Sequence, residues 1–139
     1  MSSNSQIAAA AARIASDLAQ YDHLPAPSWL SIGASGRNWM NFMLIGGDPY
    51  AELRAVCAWA AEFDVFINVS LSVGGGGEAT VDVDLGGETV QCKASVNSAH
   101  AYELGRKLGQ PLTKNALRIS GPDLLAAMTA DGEKTAVAS

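Results

Sequence analysis

Residues 65–96 read VFINVSLSVGGGGEATVDVDLGGETVQCKASV, and the alternation in that stretch decides the fold. Val65, Ile67, Val69, Leu71 and Val73 take the odd positions of the first run, with Asn68, Ser70 and Ser72 between them. Ala79, Val81, Val83 and Leu85 alternate with Thr80, Asp82 and Asp84, and Val90, Cys92, Ala94 and Val96 with Thr89, Gln91, Lys93 and Ser95. A period of two is the signature of a strand with one buried and one wet face, so the stretch predicts three strands sharing an apolar face.

Parity also limits the register, because a slip of one residue would turn every apolar side chain to water. Gly86-Gly87 suits a two-residue type I′ turn, which needs positive φ at both central positions. That turn sets Leu85 against Glu88, Val83 against Val90, Val81 against Cys92 and Ala79 against Ala94. For the first pair, a loop of Gly74 to Gly77 would mix the faces. A loop of Gly74 to Glu78 keeps them apart and pairs Val73 with Ala79, Leu71 with Val81 and Val69 with Val83.

Outward from the meander, Asp48-Pro49 reads as a helix start, with Asp as N-cap and Pro at the first helical position. The helix is expected to run to about Phe63 and to bury Leu53, Val56, Cys57 and Ala60, with Trp59 in the core. Before it, Ser28 to Ile32 and Trp39 to Ile45 read as a hairpin around Gly33 to Arg37. Met40, Phe42 and Leu44 form one face of the second strand and Trp39, Met43 and Ile45 the other, so both sides have something to cover. The first helix starts at Asn4 or Ser5, carries Ile7, Ala11, Ile14, Leu18 and Tyr21, and stops at Leu24-Pro25-Ala26-Pro27. Its alanine-rich stripe suits close packing, on its own sheet or on a second copy.

After the meander, Asn97 or Ser98 caps a helix to about Leu108, and Gly109 and Pro111 end it. Residues 112–120 are open between coil and a short strand. Gly121-Pro122-Asp123 opens a final helix ending near Gly132, with residues 133–139 expected as a disordered tail. The expected architecture is one α+β domain over residues 1–132, with an antiparallel sheet of about five strands, helices mainly on one face, and hairpin and meander in one sheet.

The chain has 139 residues, 48% hydrophobic and 17% charged, which suits a single globular core and excludes disorder throughout. A net charge of −5 argues against a general phosphate-backbone binder but allows a local basic patch. Cys57 and Cys92 match no metal-ligand spacing and read as buried thiols in a reducing compartment. The first residues have neither the positive charge nor the apolar run of a signal peptide or membrane span. These features together describe a soluble cytoplasmic protein that needs no cofactor, no metal and no membrane.

The order of helix, two strands, helix and three strands, with Leu24-Pro25-Ala26-Pro27 and Ala58-Trp59-Ala60, resembles small uncharacterised proteins of actinobacteria and their bacteriophages. The resemblance spans roughly Ile14 to Val96 and implies no activity.

Candidate chemistry is sparse. Asp82 and Asp84 share the wet face of their strand, about 7 Å apart, a spacing at which paired carboxylates can in principle act as acid and base or bind a hard cation. By the expected register their neighbours are Asn68, Ser70, Thr89 and Gln91, with nothing to shift a pKa. Gly74 to Gly77 lacks the following helix and the Lys of a phosphate loop. His23 and His100 stand in no nucleophile setting, and Gly33-Ala34-Ser35-Gly36 lacks the spacing of a nucleophile elbow. Arg106, Lys107, Lys114 and Arg118 gather in one segment, as an anion or nucleic-acid patch would, with Tyr102, Gln110 and Asn115 nearby.

Trp29 and Trp39 lie near the ends of the predicted hairpin, and tryptophan favours interfaces. The first functional expectation is therefore a non-enzymatic protein-binding or assembly module that self-associates, using Trp29, Trp39, Met43, Ile7 and Ile14. A nucleic-acid-associated regulator using the Arg106 to Arg118 segment stands second. A small hydrolase or transferase using Asp82 and Asp84 stands third.

Overall fold

The computed structural model describes residues 3–33, 36–42, 48–72 and 74–138. Among them the chain forms α1 (Ser3–Leu18), a 3-10 turn (Ala19–Tyr21), β1 (Trp29–Ile32), β2 (Asn38–Asn41), α2 (Ala51–Phe63) and β3 (Phe66–Leu71). There follow β4 (Gly77–Leu85), β5 (Glu88–Val96), α3 (Ser98–Lys107), β6 (Leu117–Ser120) and α4 (Gly121–Ala138). The strands make one sheet in the order β1-β2-β5-β4-β3-β6.

The hairpin and the meander do share one sheet, as expected, but the sheet has six strands and is mixed rather than antiparallel. The join is a parallel pairing, Asn38 beside Val90 and Met40 beside Cys92. α2 is the cause. A helix between two strands carries the chain back to the end it left, so β2 and β3 run the same way. Two hairpin reversals later β5 runs that way too and accepts β2 at its free edge. The sixth strand comes from the segment left open above: Leu117 pairs with Val69 and Ile119 with Ile67, antiparallel.

The second hairpin matches its expected register, Val83 with Val90 and Val81 with Cys92, and Gly86 and Gly87 adopt φ of 64° and 85°. The first does not. Val69 pairs with Ala79, Leu71 with Gly77 and Asn68 with Thr80, four residues away from the expected pairing. The parity of the faces survives, because an even shift preserves it. The loop is tighter than expected: Ser72 N–H donates to the Gly76 carbonyl at 2.6 Å and Gly75 N–H to the Ser72 carbonyl at 3.0 Å. Gly77 then joins the strand, where a Cβ would meet the Val96 side chain at 2.6 Å. Val73, Met43, Leu44 and Ile45 lie outside the described residues.

All four helices contribute to one buried cluster on one side of the sheet. Met40, Phe42, Val81, Val83, Val90, Cys92, Ile67 and Val69 face it from the strands, and Leu53, Val56, Cys57, Trp59 and Ala60 from α2. The Trp59 indole N–H donates to the Pro25 carbonyl at 2.9 Å, so the proline linker is anchored to α2. α1 helps to close this core. Its Ile14 is fully buried, Asp17 accepts the Gly86 N–H at 2.8 Å, and Arg13 pairs with Glu88. A Cβ at Gly86 would sit 2.5 Å from the Arg13 carbonyl oxygen, so the turn and the helix fit only with glycine there.

Helix limits differ modestly from expectation. α2 begins at Ala51 rather than Pro49, with Asp48 in the turn before it accepting the Tyr50 N–H at 2.9 Å. α3 is capped as expected by Asn97, whose side chain accepts the His100 N–H at 3.0 Å. α4 runs past Gly132 and takes in residues 133–138, expected above as a disordered tail. Among the described residues no helix is long and apolar enough to cross a membrane.

Candidate functional site: the open face of the sheet

The helices cover one side of the sheet, and the other carries the alternate residues of every strand. Pairing registers place these in rows. One row reads Ser31, Trp39, Gln91 and Asp82 across β1, β2, β5 and β4. Continuing the β3–β4 register by two residues brings Phe66 beside Asp82, with Ser120 next on β6. The neighbouring row reads Trp29, Asn41, Lys93, Thr80, Asn68 and Arg118.

Among the described residues, three of the five exposed large hydrophobic side chains stand on this face: Trp29 at 47%, Trp39 at 37% and Phe66 at 54%. Two rings carry a cation. Lys93 Nζ lies 5.8 Å from the Trp39 ring centre, and the Arg118 guanidinium 4.9 Å from that of Phe66. Such pairs are worth about 0.5–1 kcal/mol at exposed sites, enough to orient the cations without burying them. Glu78, Asp82 and Asp84 run down β4 through the middle of the face, so cations and carboxylates alternate across it.

A depression of about 420 Å³ opens at the β2 end, lined by Arg37, Trp39, Asp82, Gln91 and Lys93 among others. The surroundings of Asp82 therefore differ from expectation. An indole wall and two cations lie close, while Asn68 and Ser70 sit opposite Thr80 and Glu78 instead. Asp84 is occupied with structure, accepting the Gly87 N–H at 2.9 Å in the turn. Asn38, at the depression's edge, is 4% exposed and donates to the Thr89 carbonyl at 3.1 Å. Its Oδ1 is buried with no hydrogen-bond partner among the described residues.

No family model, curated protein or solved structure matches the chain.

The remaining candidates are dispersed. Ile14, expected at a partner surface, is buried in the chain's own core, and Ile7 is half-buried about two turns earlier on α1. Met43 lies outside the described residues. The basic segment divides between the two sides of the molecule. Arg106 pairs with Glu103 at 2.7 Å and Lys107 sits 5.0 Å above the Tyr50 ring on the helical side, Lys114 is exposed in the loop before β6, and Arg118 joins the open face. His23 pairs with Glu62, and His100 packs edge-on to Tyr50. Burial pushes the Cys57 and Cys92 thiols up to about 12, which makes them inert at neutral pH. Among the described residues no group of three or more His, Cys, Asp or Glu side chains is placed to hold a metal.

A larger concavity, about 590 Å³, lies between α3 and the loop after it, walled by Leu71, Ala101, Tyr102, Gly105, Pro111 and Leu112. Phe66 is the functional residue the sequence argument missed. It occupies an even position, where Asn68, Ser70 and Ser72 are polar, and that break in the alternation was the available signal.

Proposed function

We propose that this chain is a non-enzymatic binding or assembly module whose working surface is the open face of the sheet. The observation that carries this reading is that Trp29, Trp39 and Phe66, on β1, β2 and β3, all stand exposed on the same face of the sheet, opposite the helices, with polar and charged side chains between them. Scattered single hydrophobics are ordinary on protein surfaces, whereas aromatic residues gathered on one side mark a contact region. Tryptophan and arginine are also the residues that dominate binding energy at interfaces. Both tryptophans of the hairpin belong to this face, while Ile7 and Ile14 do not.

A photoreactive amino acid at Gln91, in the centre of the face, tests the proposal against one at exposed Gln6 on α1. Irradiation in the producing cells is expected to give protein adducts from position 91 and few from position 6. Equal yields from both, or none from position 91, would overturn it.

A single-stranded nucleic acid is the second reading, favoured by the two cation-over-ring pairs, which resemble what a base-stacking surface uses. It stands second because Glu78, Asp82 and Asp84 occupy the middle of the face, where a phosphate backbone would have to pass. Retention on single-stranded DNA at low salt, lost as salt rises, would reverse the order.

A further inference from the structure

We infer that the occupant of the open face is a second copy of the same chain, packed sheet on sheet about a two-fold axis. This rests on the proposed role of that face and names its partner. The argument is one of self-complementarity. Six strands, β1-β2-β5 on one half and β4-β3-β6 on the other, have their midline between β5 and β4. A two-fold axis along that midline, between the sheets, lays β5 of one copy over β4 of the other, β2 over β3, and β1 over β6. An axis parallel to the strands also keeps each row at its own level.

The side chains that then meet are matched in kind. Trp39 comes opposite Phe66 of the second copy, each with its own cation beside it, and Gln91 opposite Asp82, amide on carboxylate. In the next row Trp29 meets Arg118, Asn41 meets Asn68, and Lys93 comes down over Thr80, between the carboxylates of Asp82 and Glu78. Each contact occurs twice, as an isologous interface requires. Facing residues in these two rows carry no like charges, but the axis also brings the Asp82 side chains of the two copies beside each other, with the Lys93 side chains in the next row, so the contact is a weak one. Packed sheets lie about 10 Å apart with side chains interdigitating, a gap these residues fill.

The area is sufficient for a reversible dimer and no more. Strands about 4.8 Å apart give a face roughly 25 Å wide, and two full side-chain rows, with a third of Ser95, Glu78 and Ser70 on the longer central strands, give it a depth of about 15–20 Å. Each copy then covers on the order of 500 Å², about 1,000 Å² in total, the lower bound for a specific interface. The dimer is accordingly expected to dissociate on dilution.

Sedimentation velocity on the full chain from low to high micromolar concentration should show a monomer–dimer equilibrium. Gln91→Glu places a carboxylate opposite Asp82 twice per dimer and should weaken dimerisation about tenfold or more, whereas Gln91→Lys should strengthen it. Both substitutions are at a half-exposed position, and circular dichroism reports whether either disturbs the fold. The geometry is tested separately by mixing Asn41→Cys with Asn68→Cys chains and adding a bis-maleimide of about 10 Å span. The 41-to-68 adduct should dominate over 41-to-41 and 68-to-68, whose positions lie further apart across the axis. A monomer at every concentration, or dimers indifferent to the charge at position 91, would overturn the inference. If position 91 nevertheless forms adducts with another protein in cells, the binding role of the face stands and only the identity of the partner falls. If it forms none, both fall.

Discussion

Asp48 shows how one side chain is held by several groups that agree in sign. Its carboxylate accepts the Tyr50 N–H at 2.9 Å and pairs with Arg54 at 2.7 Å, just before the N-terminus of α2, where the helix dipole also favours an anion. The backbone hydrogen bond from Tyr50 is the main cause that holds its pKa below the ordinary 3.8; burial opposes it, and the hydrogen bond and charge of Arg54 add to the lowering. A carboxyl whose folded pKa is depressed stabilises the fold above its unfolded pKa and loses that contribution as pH falls through the folded value. Asp48→Asn should therefore lower stability at pH 7 by less than about 1 kcal/mol, since exposed pairs are screened. The difference should vanish in acid well below pH 3.8. Urea denaturation of both proteins at neutral and acid pH measures it, and a difference that persisted in acid would show that the carboxylate's charge is not the cause.

At the scale of the element, α1 poses the sharpest question, because an alanine-rich helix with a thin apolar stripe could dock on its own sheet or on a partner. Three attachments at separate points tie it to its own sheet. Ile14 is fully buried, Asp17 takes the Gly86 N–H, and Arg13 pairs with Glu88 across the same turn. Removing the Ile14 side chain leaves a cavity as well as losing burial, and such substitutions cost about 2–5 kcal/mol. Ile14→Ala should show that loss in urea denaturation, with Ile7→Ala, half-buried, costing less than half as much. Equal and small effects would place α1 off the core. The sequence could not decide this point, since periodicity identifies the face of a helix that is covered and is silent on what covers it.

For the whole molecule, what was legible follows from how local the cause is. The β4–β5 hairpin was readable because Gly86-Gly87 fixes a two-residue turn, and the turn and the alternation imply one register. Four successive glycines fix no loop length, so β3–β4 was placed four residues off although its faces were right. The parallel join of β2 to β5 links residues about fifty apart and leaves no local trace, and the aromatic face exists only once that join brings Trp39 beside Gln91 and Lys93. β6 then adds Arg118 from a segment whose basic residues look contiguous in sequence and part company in space. A sheet assembled from such distant pieces, with one cluster of buried residues beneath it, should open as a unit. Cys57 on α2 and Cys92 on β5 report on this from opposite sides of that cluster, at 3% and 0% exposure. With burial raising both thiols from 9.0 to about 12, neither is reactive at pH 8 in the folded chain, and labelling must pass through opening. Iodoacetamide labelling in sub-denaturing urea, read by peptide mass spectrometry, should therefore modify the two cysteines at the same rate, rising with urea as global unfolding does. Faster labelling of Cys92 would mean that the sheet parts at the β2–β5 join before the helical layer lets go, making that join the weakest seam in the structure.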